Sequence, residues 1–314
     1  SREAALIFNN LLLTTGAAVV LLGTLYPLFL DALYGAKVSV GPPFYNATFL
    51  PIMAPVLVAC VIGSMLSWKR GDLAGVFGRL KAAIIVTLVV VFIITLLNGS
   101  SDFLVALALG VAAWIIIGTL VQVSERLNLL NIPLYKSVYR AKNLPRAFWG
   151  MVVAHSALGI LVIGITISSA WRVEQIQLMK SGDKISAGGY TLTFSGTIPI
   201  SGPNYTGIQG KFKVERNGEE VTVLKPEKRS YPAEKNQTTE AGILSTISGD
   251  LYTVLGEMSD NEEWSTRIYF NPMVNWIWIG AFLMAFGGLI SLTDRRLRFG
   301  IWQRFSKKFV RKAV

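Results

Sequence analysis

Histidine and cysteine are almost absent from this sequence of 314 residues, which contains one of each. Cys60 cannot form a disulfide within the chain, and its surroundings match no zinc or redox motif. We expect Cys60 to pack as a small apolar residue. Acidic residues are also scarce, 19 against 30 Lys and Arg. These shortages exclude a disulfide framework and a zinc site with several Cys and His ligands.

Long apolar runs are abundant instead. Hydrophobic residues make up 52% of the chain and the mean hydropathy is +0.49, which is more apolar surface than one soluble core could bury. The first run is too long for a cleavable signal peptide and has no small-residue cleavage site. Runs that approach the ~20 residues needed to cross a bilayer predict an α-helical polytopic membrane protein with six transmembrane helices. These runs are Ala4–Leu30, Leu50–Trp68, Ala82–Leu97, Phe103–Val123, Phe148–Trp171 and Met273–Leu292.

Lys and Arg are concentrated in three segments, 69–81, 124–147 and 293–314, which hold 4, 5 and 8 of them and one acidic residue each. The positive-inside rule places these segments, and both ends of the chain, in the cytoplasm. The net charge of +11 is then mainly a signal of topology, and no nucleic-acid-binding motif accompanies it. Aromatic residues at near-helical spacing in the last segment are typical of a helix lying on anionic membrane lipid, or equally of a solvated basic tail.

Residues 172–272 are polar, mixed in charge and rich in turn residues. In GKFKVERNGEEVTVLK, apolar and polar residues alternate on both sides of Asn217 and Gly218, a pair typical of a two-residue hairpin turn. In GYTLTFSG, the three apolar residues share one face. We therefore predict a small inserted all-β periplasmic domain, barrel or sandwich, at 172–272. It would lie between a membrane domain of five helices at 1–171 and a last helix with a basic tail at 273–314.

This β-domain contains no histidine, no cysteine and no Gly-rich phosphate loop. Partner docking is therefore a better prediction for it than chemistry.

His155 lies within an apolar run, six residues after Trp149, or about 9 Å below the interface that this indole is expected to mark. An imidazole at that depth should face the helix bundle and find a partner there. The residues alone leave three roles open: a hydrogen bond between helices, a step in a proton relay, and an axial ligand to haem. A relay usually includes intramembrane Asp or Glu, which the cores of these spans lack.

Small residues surround His155. They would admit a flat macrocycle or, equally, permit tight packing between helices. They are Gly150, Ala154, Ser156, Ala157 and Gly159.

The stretch LPRAFWGMVVAHSALGI resembles the histidine-bearing span of the CcmF/NrfE family of cytochrome c haem lyases. Further stretches match that family in the same order, nearly end to end. They are SREAALIFNNLLL, LGTLYPL, VSVGPPFYN, GPNYTG, LKPEKRSYP, GDLYTVLGE and NPMVNWIWIGAFLMAFGGLISLTDRR. The matches correspond to the C-terminal half of the family. Because the chain starts at Ser1 and not at Met, we expect a truncated product or one half of a split protein.

The resemblance implies a haem-handling subunit of a cytochrome c haem lyase in the inner membrane. The family takes haem from the haem chaperone CcmE and, with CcmH and CcmI, delivers it to apocytochrome c. It also holds a b-type haem between two transmembrane histidines. His155 matches the second of these, so it is expected to bind the haem iron. The first belongs to the N-terminal half, which is the partner this chain would need, and no catalytic residue carries over.

Another function stays open: a non-enzymatic membrane scaffold or transport component that displays its β-domain to partners. A transporter would be expected to have broken helices with charged residues near the midplane, which these spans lack. Asn9, Asn10 and the segment 41–46 match the family pattern without an assigned role. We expect amides that pack between helices and a Pro-Gly turn.

Overall fold

The computed structural model describes residues 2–67, 71–99, 102–129, 131–233, 236–259 and 261–294. Its helices are α1 (Arg2–Tyr34), α2 (Pro42–Met65), α3 (Leu73–Arg79), α4 (Lys81–Asn98), α5 (Phe103–Leu127), α6 (Leu134–Asn143), α7 (Arg146–Ala170) and α8 (Val274–Leu292). Its strands are β1 (Val173–Met179), β2 (Lys184–Ala187), β3 (Tyr190–Ser201), β4 (Thr206–Arg216), β5 (Glu219–Leu224), β6 (Glu227–Tyr231), β7 (Asn236–Glu240), β8 (Gly242–Thr246), β9 (Gly249–Met258) and β10 (Trp264–Pro272). The basic tail from residue 295 on, for which a surface helix and a solvated segment were equally expected, lies outside the described residues.

Six of the helices in this part of the chain are long and apolar enough to cross a membrane: α1, α2, α4, α5, α7 and α8. The prediction of a polytopic membrane protein with six spans is confirmed.

The second span begins eight residues earlier than predicted, at Pro42 in place of Leu50. Pro42 and Pro43 occupy the first helical positions, where no N–H is needed for the helix and the fixed φ of proline suits it. Gly41 precedes them as the N-cap residue. The expected Pro-Gly turn over 41–46 is therefore wrong, because all of it but Gly41 is helical.

Two short helices, α3 and α6, lie in the basic connections and were not predicted. The carboxylate of Asp72 accepts a hydrogen bond from the Gly75 backbone N–H at 2.9 Å and caps α3. Such a cap satisfies one of the free N–H groups at a helix start. Leu80 then separates α3 from α4.

The described residues divide into two compact units. The membrane unit comprises the described residues within 1–159 and 281–294, and the β unit comprises those within Ile160–Gly280. Helices α7 and α8 contribute to both.

Helix α5 is the centre of the membrane unit. In the most apolar stretch of α5, 39% of the residues are buried, compared with 6% in the corresponding stretches of α1, α2 and α4. The indole Nε1 of Trp114 donates to the carbonyl of Val58 on α2 at 3.0 Å. A Cβ at Gly118 would overlap the side chain of Val61, so this glycine permits the close approach of α2 and α5.

The β unit is a sandwich of two antiparallel sheets, which decides between the barrel and the sandwich. One sheet has the order β1-β10-β9-β8, and the other has the order β2-β3-β4-β6-β7 with β5 beside β4. Both sheets contribute to one core. Its buried residues are Met179, Ile185, Ala187, Tyr190, Leu192, Phe194, Phe212, Val214, Leu224, Leu251, Leu255 and Ile268.

The predicted hairpin is present. Arg216 pairs with Glu219, so Asn217 and Gly218 form the two-residue turn with φ of 53° and 85°. Positive φ at both turn residues is the geometry that Asn-Gly favours.

The shared face predicted for GYTLTFSG is also present, since its three apolar residues belong to the core of the sandwich.

A β-bulge changes which face of the second hairpin strand is buried. Val214 pairs with Thr222, and the next pair joins Glu215 to Glu220, so Val221 is the extra residue. Because of this shift, Val221 and Val223 point away from the core, and their side chains are 46% and 39% exposed. A one-residue shift reverses the faces of a strand because side chains alternate.

Asn275 and Trp276 hold the start of α8 to the sandwich. The Asn275 amide donates to the Thr246 carbonyl and to Asp250 Oδ1, both at 2.8 Å. The Trp276 indole donates to the Ile247 carbonyl at 3.0 Å. These bonds join α8 to the turn between β8 and β9 within the β unit.

Candidate functional site

His155 lies in the first half of α7, within the membrane unit. Its ring nitrogen Nδ1 is buried and has no hydrogen-bond partner among the residues that the structure describes. A buried polar atom without a partner costs about 1–3 kcal/mol. Such an atom inside a membrane unit is therefore a strong candidate for a ligand-binding role.

A cavity of about 490 Å³ lies beside His155. Its walls come from α1, α2, α7 and α8 and are mostly apolar. Five of its residues come from α1 and seven from α2. The lining residues are Ala5, Leu6, Phe8, Asn9, Leu13, Met53, Val56, Leu57, Ala59, Cys60, Gly63, Ser64, Met151, Ala154, His155, Leu158 and Met284. We call this the His155 cavity.

The cavity residues lie at similar heights along their helices. His155 is nine residues from the start of α7 and Met284 is eight from the end of α8, which at ~1.5 Å per residue gives about 13 Å and 12 Å. Asn9 is seven residues from the start of α1, or about 10 Å. All three side chains line the same cavity, so they meet at one level of the bundle.

The small residues near His155 mainly serve helix packing. A Cβ at Gly150 would lie 2.5 Å from the Gly287 carbonyl oxygen, and one at Gly159 would lie 2.5 Å from Ile116 Cγ1. Ala157 is 1% exposed. Of the five small residues, Ala154 lines the cavity. The structure therefore favours close packing over macrocycle access for most of this set.

The polar groups of the His155 cavity are few and uncharged. Ser64 Oγ donates to the Val61 carbonyl at 2.7 Å and accepts from Gln122. Within the described residues, no hydrogen bond is made by the Asn9 amide. No Asp, Glu, Lys or Arg lines the cavity, so a proton relay would have no neighbouring carrier there.

The donor set determines which ligands fit the His155 cavity. Hard cations such as Ca²⁺ and Mg²⁺ need several oxygen ligands, mainly carboxylates, and none are present in the lining. A structural zinc site needs about four Cys or His ligands. Among the described residues, no group of three or more His, Cys, Asp or Glu could hold a metal ion. One neutral imidazole in an apolar cavity fits an iron porphyrin, which supplies most of its own ligands.

A second cavity, of about 990 Å³, lies where α2 and α5 end, and sequence reasoning missed it. Arg79 Nη1 lies 3.3 Å from Glu125 Oε2, and Arg79 Nη2 donates to the Met65 carbonyl at 3.2 Å. The Arg79 and Glu125 side chains are 45% and 36% exposed, so their attraction contributes little to stability.

The sequence feature that could have indicated this cavity is Glu125, the only acidic residue in segment 124–147. The pair joins α3 to α5. Asp72 and Arg126 also line this cavity, where Asp72 caps α3 and the Arg126 guanidinium lies 6.0 Å from the Phe148 ring centre.

In the β unit, Arg229 on β6 joins a cluster with Tyr205 and Glu227. Its guanidinium lies 4.4 Å from the Tyr205 ring centre, and its Nη2 lies 2.7 Å from Glu227 Oε2. The hydrogen bond to Glu227 raises the pKa of Arg229. Burial alone would raise the pKa of Glu227, but hydrogen bonds from Arg229 and Gln209 hold it below its ordinary value. This is a stable ion pair and not an acid–base site.

Comparison with known proteins gives consistent results. The family model described as CcmF C-terminal beta-sandwich matches residues 170–272. The cytochrome c-type biogenesis protein CycK of Bradyrhizobium diazoefficiens is 45% identical over 300 residues, which cover 96% of this chain and 46% of that protein. CcmF of Pseudomonas aeruginosa is 38% identical over 305 residues, which cover 97% and 46%.

A solved structure, Cytochrome c Heme Lyase CcmF, is also similar. It aligns with a TM-score of 0.67 and 25% identity, covering 94% of this chain and 46% of that one. The chain therefore spans about half the length of the relatives it matches.

Proposed function

Because this chain belongs to the CcmF family of cytochrome c-type biogenesis proteins, we propose that it is the C-terminal, haem-handling half of a cytochrome c haem lyase. Its role would be to support the transfer of haem to apocytochrome c and its covalent attachment there. Relatives named as biogenesis proteins and haem lyase, matched over nearly all of this chain, support the assignment.

The observation that carries the cofactor assignment is the unpartnered buried nitrogen of His155 beside an apolar cavity. His155 would hold a b-type haem through its imidazole nitrogen, together with a histidine from the other half of the protein. Haem supplies an iron centre that can change oxidation state. Helices α1 and α2 would exclude water from the ring, since their lining residues are almost all apolar. The side-chain amide of Asn9, which makes no hydrogen bond within the described residues, would be available to a ligand in the cavity.

Charge supports a topology for this half. The basic segments 69–81, 124–147 and 293–314 would lie in the cytoplasm. The sandwich would then lie in the periplasm and the spans in the inner membrane. The sandwich would then be the part of this chain accessible to CcmE, CcmH, CcmI and apocytochrome c. Its lack of histidine and cysteine suits docking and not haem chemistry.

The test is to produce this chain together with the other half of a CcmF-family protein and to record the absorption spectrum of the purified pair. We expect a b-type spectrum for the native sequence and its loss in His155→Ala. Ser156→Ala is the matched control, because Ser156 does not line the cavity, and it should keep the spectrum. In His155→Gly, added imidazole should restore the spectrum, which separates loss of the ligand from loss of the fold.

An unchanged spectrum in His155→Ala would contradict the assignment. It would favour a scaffold that displays the sandwich without holding haem through this helix.

A further inference from the structure

Helix α6 (Leu134–Asn143) has an apolar face that the described residues leave uncovered. Leu134, Val138, Tyr135 and Tyr139 lie at helical spacing on one side, with 75%, 50%, 70% and 71% of their surface exposed. Four large side chains at this exposure on a helix of 10 residues are unusual for a surface in contact with water. The face needs an apolar medium.

The charged residues of segment 126–146, which contains α6, are all basic. Lys136 and Arg140 follow the apolar face around the helix, and Lys142 and Arg146 lie at its C-terminal end. Residues 126–146 contain no Asp or Glu. An apolar arc bordered by Lys and Arg without acids is complementary to an anionic bilayer surface, whereas a typical protein interface carries fewer Lys residues.

A third side of α6, between its basic residues and its apolar face, is fixed to the membrane unit. Ser137 is 1% exposed, and the Ala141 carbonyl accepts a hydrogen bond from the Trp149 indole at 3.2 Å. Only Leu144 and Pro145 separate α6 from α7, which crosses the membrane. This short link holds α6 close to the start of α7, at one end of a helix long and apolar enough to cross a membrane.

We propose that α6 is an interfacial helix that binds anionic phospholipid. The aromatic and branched side chains of its exposed face lie among the upper acyl chains, and Lys136 and Arg140 bind the phosphate groups. The other occupants of such a face, water or a second protein, are outcomes that the following tests detect.

The first test measures where the face lies. Spin labels are placed at Val138→Cys and, as the matched control two residues on, at Arg140→Cys, both in a Cys60→Ala chain in vesicles of three parts phosphatidylcholine to one part phosphatidylglycerol. We expect oxygen collisions to exceed those of a water-soluble nickel complex at position 138, with the reverse at 140. Dominant nickel collisions at 138 would place the face in water, and low collisions with both would place a protein over it. Either result would overturn the proposal.

The second test measures lipid selectivity. The full chain is titrated with spin-labelled phosphatidylglycerol and spin-labelled phosphatidylcholine, and the immobilised fractions are compared. Lys136→Gln with Arg140→Gln should weaken binding of the anionic label by roughly fivefold for each charge removed, at most. Lys184→Gln with Lys225→Gln removes the same charge from the β unit and should change nothing. Equal selectivity in both double variants would overturn the proposal, and neither test depends on haem.

Discussion

The sandwich and the membrane helices differ in how much of their apolar surface they leave exposed. In the sandwich, Phe194 and Phe212 are 1% and 0% exposed. In the membrane unit, Leu11 and Leu96 are 63% and 68% exposed, while α5 buries small and polar residues together with several large apolar ones. Water drives apolar side chains inward, but lipid does not, so helices in a membrane meet where small residues allow close approach or polar residues form hydrogen bonds.

The same difference decides how each region is interpreted for function. In the sandwich, a polar residue at the surface carries little information. In the membrane unit, an uncharged polar side chain facing a cavity, as His155 and Asn9 do, is costly unless it binds something. The candidate site is therefore marked by its polar residues in apolar surroundings.

The largest expected effect is in the sandwich core. Phe194→Ala should destabilise the sandwich by about 3–5 kcal/mol, because it removes a buried ring and leaves a cavity. The Phe194 and Phe212 ring centres are 5.0 Å apart, so the loss also removes an aromatic contact. Scanning calorimetry of the full chain in detergent measures it. Val223→Ala, on the outward face that the bulge creates, should cost no more than about 0.5 kcal/mol, and equal losses would break the comparison.

The next effect tests close packing in the membrane unit. A Cβ at Gly287 would lie 2.7 Å from the Ala154 backbone nitrogen, whereas one at Gly288 would meet nothing within 4 Å. Gly287→Ala should therefore destabilise the contact between α7 and α8 by roughly 1–3 kcal/mol, and Gly288→Ala should be neutral. Unfolding in detergent titrated with SDS compares the two. Equal midpoints would mean that these helices do not meet as described.

A smaller effect depends on pH. The folded pKa of Glu227 is below its ordinary value, so folding favours the deprotonated form. This contribution is fully present above the unfolded pKa of about 4.3 and is lost as the pH falls through the lower folded value. Glu227→Gln should cost about 1–2 kcal/mol at pH 7 and nothing at the acidic end. Calorimetry of the wild type, this variant and the exposed control Glu240→Gln measures the difference, and a cost independent of pH would contradict the ion-pair account.

The smallest effect concerns the electrostatics of the His155 cavity. Asn9 lines the cavity, and its neighbour Asn10 is exposed and does not. Asn9→Leu makes the cavity more apolar, which disfavours the more positively charged ferric state, so the midpoint potential of the bound haem should rise. Asn10→Leu should leave it unchanged. Redox titration of the assembled pair tests this, and equal potentials in the two variants would place Asn9 outside the haem environment.

Most of the fold follows from the sequence because each region has a pattern suited to its solvent. Apolar length predicts the spans, and Asn217 with Gly218 predicts the hairpin. The bulge at Val221 does not follow, because alternation on both sides of the turn is compatible with either register. Helix α6 does not follow from the sequence, because its apolar residues are too few for a span and the positive-inside rule already accounts for its charges.

The candidate site follows in part. His155 is conspicuous because it is the only histidine of the chain and it lies in an apolar run. The cavity beside it does not follow, because it depends on how four helices pack, and its lining is chemically like any lipid-facing surface. Sequence also could not decide the role of the small residues, since close packing and ligand access require the same side chains.

The most direct test of the central claim uses the single histidine. This chain is produced with ¹⁵N-histidine, assembled with the unlabelled other half and haem, and studied by electron–nuclear double resonance of the ferric state. Iron ligation by His155 predicts a strong ¹⁵N coupling from one imidazole, alongside ¹⁴N signals from the porphyrin and the opposite ligand. A haem-loaded complex whose spectrum shows no ¹⁵N coupling would contradict it.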